Sequence, residues 1–164
     1  MKARTDERGV TLIELVIVAM LIGALAAVSA PVFTSGGRSM SVWSAAHRLR
    51  ADLRYAQEYA ITHHTDTAVV FVPLSHQWSL LQNGLLEAVP NPHLGTDWIV
   101  DLDSLTGVRL GTLGLSTPNA VTFLSTGECT SSGTIQLTDP TGGGSAQLTV
   151  EADTGFVRVD VTGT

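Results

Sequence analysis

The carboxylate of Glu14 is the only charge between Val10 and Ala30, and of all the ionisable groups in this 164-residue chain it most needs a partner. A carboxylate inside an apolar membrane segment costs at least about 2.5 kcal/mol on insertion scales, so it is kept there for pairing or for a purpose. The other groups that could do chemistry do not gather. His63 and His64 are adjacent, and adjacent side chains point apart on a helix or a strand, so they do not by themselves form a ligand pair; His47, His76 and His93 are scattered. The run Asp101-Leu102-Asp103-Ser104-Leu105-Thr106-Gly107 hints at a calcium loop. Its glycine falls one place late for the EF-hand pattern and no Glu closes the ring, so a turn between strands is expected instead. Serine, histidine and aspartate are all present, yet no nucleophile-elbow motif surrounds any serine. No catalytic residue, metal site or cofactor is expected, and the chain reads as a non-enzyme.

Few elements are available to position Glu14. As a helix rising about 1.5 Å per residue, Val10 to Ala30 covers roughly 30 Å, the thickness of a bilayer's hydrocarbon core. A secretory signal peptide would explain the basic start (Lys2, Arg4, Arg8), the apolar core and a small-residue site at Val28-Ser29-Ala30. It conflicts with a carboxylate at the head of that core and with Pro31 directly after the cut. A plain transmembrane anchor explains the length but leaves Glu14 unpaired and Gly9 without a role.

One span plus the remaining residues leaves enough chain for one soluble domain of ordinary size. The leader's basic residues place the amino end on the cytoplasmic side under the positive-inside tendency, and the rest faces outward. The formal net charge is -6, and beyond Tyr59 the basic residues Arg109 and Arg158 face ten carboxylates from Asp66 to Asp160. So acidic a domain is a poor match for a phosphate backbone, which argues against DNA as a partner. The single cysteine, Cys129, excludes an internal disulfide.

After Pro31, the run Thr34 to Ser39 contains Gly36-Gly37, and a kink or short melt is expected there. From Ser41 to Ile61 the helical period returns, with Val42, Ala46, Leu49, Leu53, Ala56 and Ala60 on one stripe. Arg48, Arg50, Asp52, Arg54, Gln57 and Glu58 lie largely off that stripe, as expected for a helix that lays one face on a sheet and leaves the other to solvent, and the cluster Arg48-Arg50-Arg54 reads as a solvated face. From Thr67 the pattern changes to period two. Strands are expected at 67–73, 76–82, 97–102, 107–113, 121–125, 134–138, 146–152 and 156–161. The last two form the clearest hairpin, turning at Asp153-Thr154-Gly155. Residues 85–95 and 127–133 read as loops, and 139–145 as a glycine-rich connection.

The sequence Gly9-Val10-Thr11-Leu12-Ile13-Glu14, closing a short charged leader, resembles the type IV prepilin signal. That resemblance implies cleavage by a membrane-embedded prepilin peptidase between Gly9 and Val10, followed by N-methylation of Val10, where the family usually has Phe. It implies that Glu14 attracts the new terminal amine of a neighbouring subunit during filament assembly. Pro31 falls where the family commonly has a helix-bending proline. The stretch 49–61 with Val69-Val70-Phe71, and then Val121-Thr122-Phe123, Gly127, 133–137 and 154–159, is similar to the minor pseudopilin H group, which also includes the type IV pilus minor pilins FimT and FimU. Nothing in roughly 75–118 contributes to the likeness.

The expected architecture is α+β, a pilin-like fold: a leader at 1–9, a transmembrane and filament helix at 10–30, a kink and amphipathic second half at 31–66, and an antiparallel β head at 67–164. The resemblance implies a minor pseudopilin of a type II secretion system, in the inner membrane with its head in the periplasm. Its partners would be the major pseudopilin, the minor pseudopilins of the tip complex, the prepilin peptidase and membrane lipid. A type IV pilus minor pilin is the alternative.

Overall fold

The computed structural model describes residues 11–92, 95–102 and 107–162, and for residues 27–39 the backbone alone. Gly9, Val10 and the expected leader lie outside the described residues, as do His93 and residues 103–106 of the hinted calcium loop. The chain divides into two compact units, Met1–Gly36 and Gly37–Thr164. Helix α1 (Leu12–His63) enters both.

Its backbone is helical through Pro31 and through 34–39, so the expected melt is absent. Each glycine lowers helix propensity by about 1 kcal/mol relative to alanine but keeps its N–H donor, and the hydrogen-bond ladder can therefore continue. In the first unit Thr11 caps the helix. Its Oγ1 accepts the backbone N–H of Glu14 at 3.3 Å, and Thr11-Leu12-Ile13-Glu14 has the spacing of a capping box. No helix among the described residues is long and apolar enough to cross a membrane. The span expected at 10–30 extends at both ends beyond the residues whose side chains are described.

In the second unit Val42, Ala45, Ala46, Leu49, Leu53, Ala56 and Ala60 are buried, which includes every residue of the expected stripe. The helix ends in a Schellman motif: His64 takes a left-handed conformation (φ 50) and the Thr65 N–H reaches back to the Ala60 carbonyl at 3.2 Å. The adjacent histidines thus sit at a helix stop, and the His63 ring stacks on Tyr59.

The strands are β1 (Thr67–Val72), β2 (Gln77–Gln82), β3 (Glu87–Ala88), β4 (Ile99–Asp101), β5 (Arg109–Leu115), β6 (Ala120–Phe123), β7 (Gly133–Thr138), β8 (Ser145–Val150) and β9 (Val157–Thr162). They form two antiparallel sheets, as the expected antiparallel head allows: β3-β2-β1-β6, with β4 also on β2, and β5-β7-β8-β9. Alternation tells a strand which face to bury but not which neighbours it pairs with, since pairing is set by cross-strand contacts distant in sequence. In the first sheet Trp78 lies opposite Phe71 and Val100, and Val69 lies between Leu80 and Val121. In the second, Ile135 pairs with Leu148, Leu137 with Ala146, and Val150 with Val157. All of these residues belong to one core that the helix stripe shares. The region read as a loop at 85–95 contains β3 and a bridge from Pro90 to Asp97. Strand β3 is only two residues long, below the length at which periodicity is visible.

Gly133, which opens β7 with φ 138, lies so close to β5 that a Cβ there would run into the Gly114 carbonyl oxygen and lie 2.8 Å from Leu115 Cα. Both obstacles are backbone. Gly133→Ala is expected to cost at least about 2 kcal/mol through positive-φ strain and loss of the β5–β7 pairing. A fall in the urea unfolding midpoint checks this, and an unchanged midpoint would show that β5 can move aside.

Candidate assembly surfaces

Glu14 is exposed in the third helical position of α1, in the first turn. Backbone N–H groups and the positive end of the helix dipole stabilise a carboxylate there. Around it the helix is apolar on every side: Leu12, Ile13, Leu15, Ile17, Met20, Leu21, Ile22 and Leu25 are all exposed. A helix with apolar residues all round needs lipid or other helices to cover it. Pro31 lies in the helical backbone farther along.

The second half of the helix differs from expectation at Asp52. Expected on the solvent side, Asp52 is 4% exposed. Its Oδ2 accepts the Trp78 indole N–H at 2.8 Å, and its Oδ1 lies 3.6 Å from Arg48 Nε. Burial pushes the Asp52 carboxyl above the ordinary carboxylate value, opposed first by the Trp78 bond and then by the Arg48 charge. The buried Trp98 indole N–H also favours the charged form, although it meets no hydrogen-bond partner by geometry. Asp52 therefore ties α1 to β2. The sequence did carry a signal for this, because Asp52 is spaced at helical intervals from Ala45, Leu49 and Ala56, so a wider stripe takes it in.

Gln57 was also expected to be solvated. Its Nε2 instead donates to the carbonyls of Gly127 (2.7 Å) and Thr154 (3.0 Å), clamping two loops onto the helix. The arginine cluster divides as well. Arg48 turns to Asp52, while Arg50 and Arg54 join His47 around a shallow depression. Among the described residues no group of three or more His, Cys, Asp or Glu side chains is placed to hold a metal ion.

This arrangement presents an apolar helix and a helix-on-sheet head, which are surfaces for packing. The family model for type II transport protein GspH matches residues 45–154, the greater part of the chain and nearly the whole head. The chain belongs to the GspH family. A second model, the prokaryotic N-terminal methylation motif, matches residues 4–30 and covers Gly9, Val10 and Glu14. Among solved structures the fold is similar to the minor pseudopilin EpsH of the type 2 secretion system of Vibrio cholerae, with TM-score 0.53 and 20% identity over 74% of this chain and 97% of that one. It is also similar to the type IV minor pilin FimU of Pseudomonas aeruginosa, with TM-score 0.51 and 16% identity over 74% of this chain and 87% of that one. No curated protein matches the chain in sequence. This GspH-family chain has the α+β pilin-like fold and is a minor pseudopilin of type II secretion. Its family is structural, and its members assemble with other pseudopilins.

Proposed function

We propose that the chain is made as a prepilin, that the prepilin peptidase cuts it between Gly9 and Val10, and that Val10 is methylated. The segment 10–30 then holds it in the inner membrane with the head in the periplasm, until it packs into a pseudopilus at or beside the tip. The chain itself carries no catalysis. The single observation behind this reading is the apolar helical segment exposed from Leu12 to Leu25, capped by Thr11 with Glu14 in its first turn, in a chain with a GspH-type head. Glu14 supplies the charge that meets a neighbour's new amino terminus, Pro31 bends the helix, and the head selects the major pseudopilin below and the tip subunits beside it. The acidic balance of the head disfavours DNA. The methylation-motif match over 4–30 supports processing at Gly9.

The amino-terminal sequence and intact mass of the membrane-extracted protein test this, with and without the peptidase. A chain that begins at Val10 only when the peptidase is present is the expected result. A start at Pro31, or at Met1 regardless of peptidase, overturns it.

A further inference from the structure

One flank of the helix is basic, exposed at Met40, Trp43 and Arg54 and half-buried at His47 and Arg50. Met40, Trp43, His47, Arg50 and Arg54 recur at alternating steps of three and four and so share a face. Met40 is 61% and Trp43 46% exposed. The Trp43 ring packs on His47 with centroids 4.2 Å apart, and His47, Arg50, Ala51 and Arg54 line a depression of about 260 Å³. Neither Arg50 nor Arg54 has an ion-pair partner among the described residues, whereas Arg48 is held by Asp52 on the far flank. Tryptophan and arginine are the side chains that most often carry binding energy at interfaces, and an uncompensated arginine pair selects carboxylates. The head of this same chain is rich in the complementary charge. From Asp66 to Asp160 it carries ten carboxylates against Arg109 and Arg158. The chain is thus electrically two-sided, with a basic helix flank and an acidic head.

We propose that the Trp43–His47–Arg50–Arg54 flank is the docking surface for the carboxylate-rich head of a neighbouring pseudopilin, with Trp43 as its apolar anchor. This rests on the filament-subunit reading above. Head-to-flank pairing between subunits of like design is heterologous, so it can propagate along a filament instead of closing into a dimer. Charge pairing across the flank also sets the register of one subunit on the next, which an apolar helix alone specifies poorly.

The test uses the full-length chain in its own membranes, with a photo-reactive phenylalanine replacing Ala51 in the depression and, separately, Leu21 in the apolar helix. The expected product at Ala51 is an adduct to a pilin-like subunit, mapping by mass spectrometry to an Asp- and Glu-bearing stretch of its head. That adduct should fall about tenfold in Arg50→Glu/Arg54→Glu and persist in Arg50→Lys/Arg54→Lys. An adduct of equal yield in the charge-reversed variant overturns the proposal, as does an adduct to anionic lipid. Capture of neighbours from Leu21 with none from Ala51 also overturns it, while leaving the filament reading standing. Capture from neither position removes the filament reading, and the proposal with it.

Discussion

Trp78→Ala is expected to destabilise the head by about 3–5 kcal/mol, a large part of the roughly 5–15 kcal/mol that holds a domain of this size together. Trp78 is fully buried, faces Phe71 and Val100 across the first sheet, and gives the helix its hydrogen bond to Asp52. Alanine therefore opens a cavity and also takes from a buried carboxylate the donor that most favours its charge. Trp78→Phe separates the two effects, since it keeps most of the ring but loses the N–H. The pH dependence follows from the direction of the Asp52 shift. With the folded pKa above the unfolded one, the contribution of Asp52 is fully present below the unfolded pKa and is lost as pH rises through the folded value. Loss of the Trp78 donor raises the folded pKa further, so in Trp78→Phe this loss extends to higher pH. Asp52→Asn, which can still accept from Trp78, removes the dependence. Urea midpoints of the full chain in detergent, taken between about pH 4 and 7, read both changes. If Asp52→Asn keeps the parent's pH slope, the buried Asp52 carboxyl is not its source.

How much of this was legible in the sequence differs by residue. The stripe Val42 to Ala60 and the hairpin through Asp153-Thr154-Gly155 were legible because each repeats a local period against turn or cap residues. The division into two sheets was not, because it depends on β6 returning to β1 from 50 or more residues away, a pairing that no local pattern encodes. Asp52 and Gln57 were misplaced for one shared reason. Residue type suggests water, but a polar side chain that is buried, as Asp52 is, or half-buried, as Gln57 is, stays where a donor or acceptor meets it, here the Trp78 indole and two loop carbonyls. The arginines were visible as a cluster, and only the fold shows that a helical step of two separates Arg48 from Arg50 onto opposite flanks. Gly9, Val10 and Glu14 were legible as a motif, yet the capping geometry at Glu14 adds a second local role that the motif does not mention.

That second role determines how Glu14 must be tested. Glu14→Ala is expected to leave cleavage at Gly9 largely intact and to abolish most incorporation into the filament. Breaking one half of a desolvated charge pair costs about 3–5 kcal/mol, more than a hundredfold in subunit affinity. Alanine also ends any capping-box contribution from position 14, which on its own is worth about 1 kcal/mol and would slow assembly only modestly. Glu14→Gln divides the two. Glutamine serves a capping box nearly as well as glutamate, and the Thr11 Oγ1 bond to the residue 14 backbone N–H is untouched, but glutamine carries no charge for a neighbour's amino terminus. If pairing is what Glu14 supplies, Gln fails to assemble as completely as Ala, while Glu14→Asp retains part of the function through its shorter carboxylate. Crosslinking to neighbouring pseudopilins and export of a secreted cargo are the two readouts, each measured on protein confirmed by mass to begin at Val10. Normal crosslinking and export in the Gln variant would sink the charge pair and leave Glu14 as a helix-starting residue, with filament affinity then resting on the uncovered apolar side chains from Leu12 to Leu25.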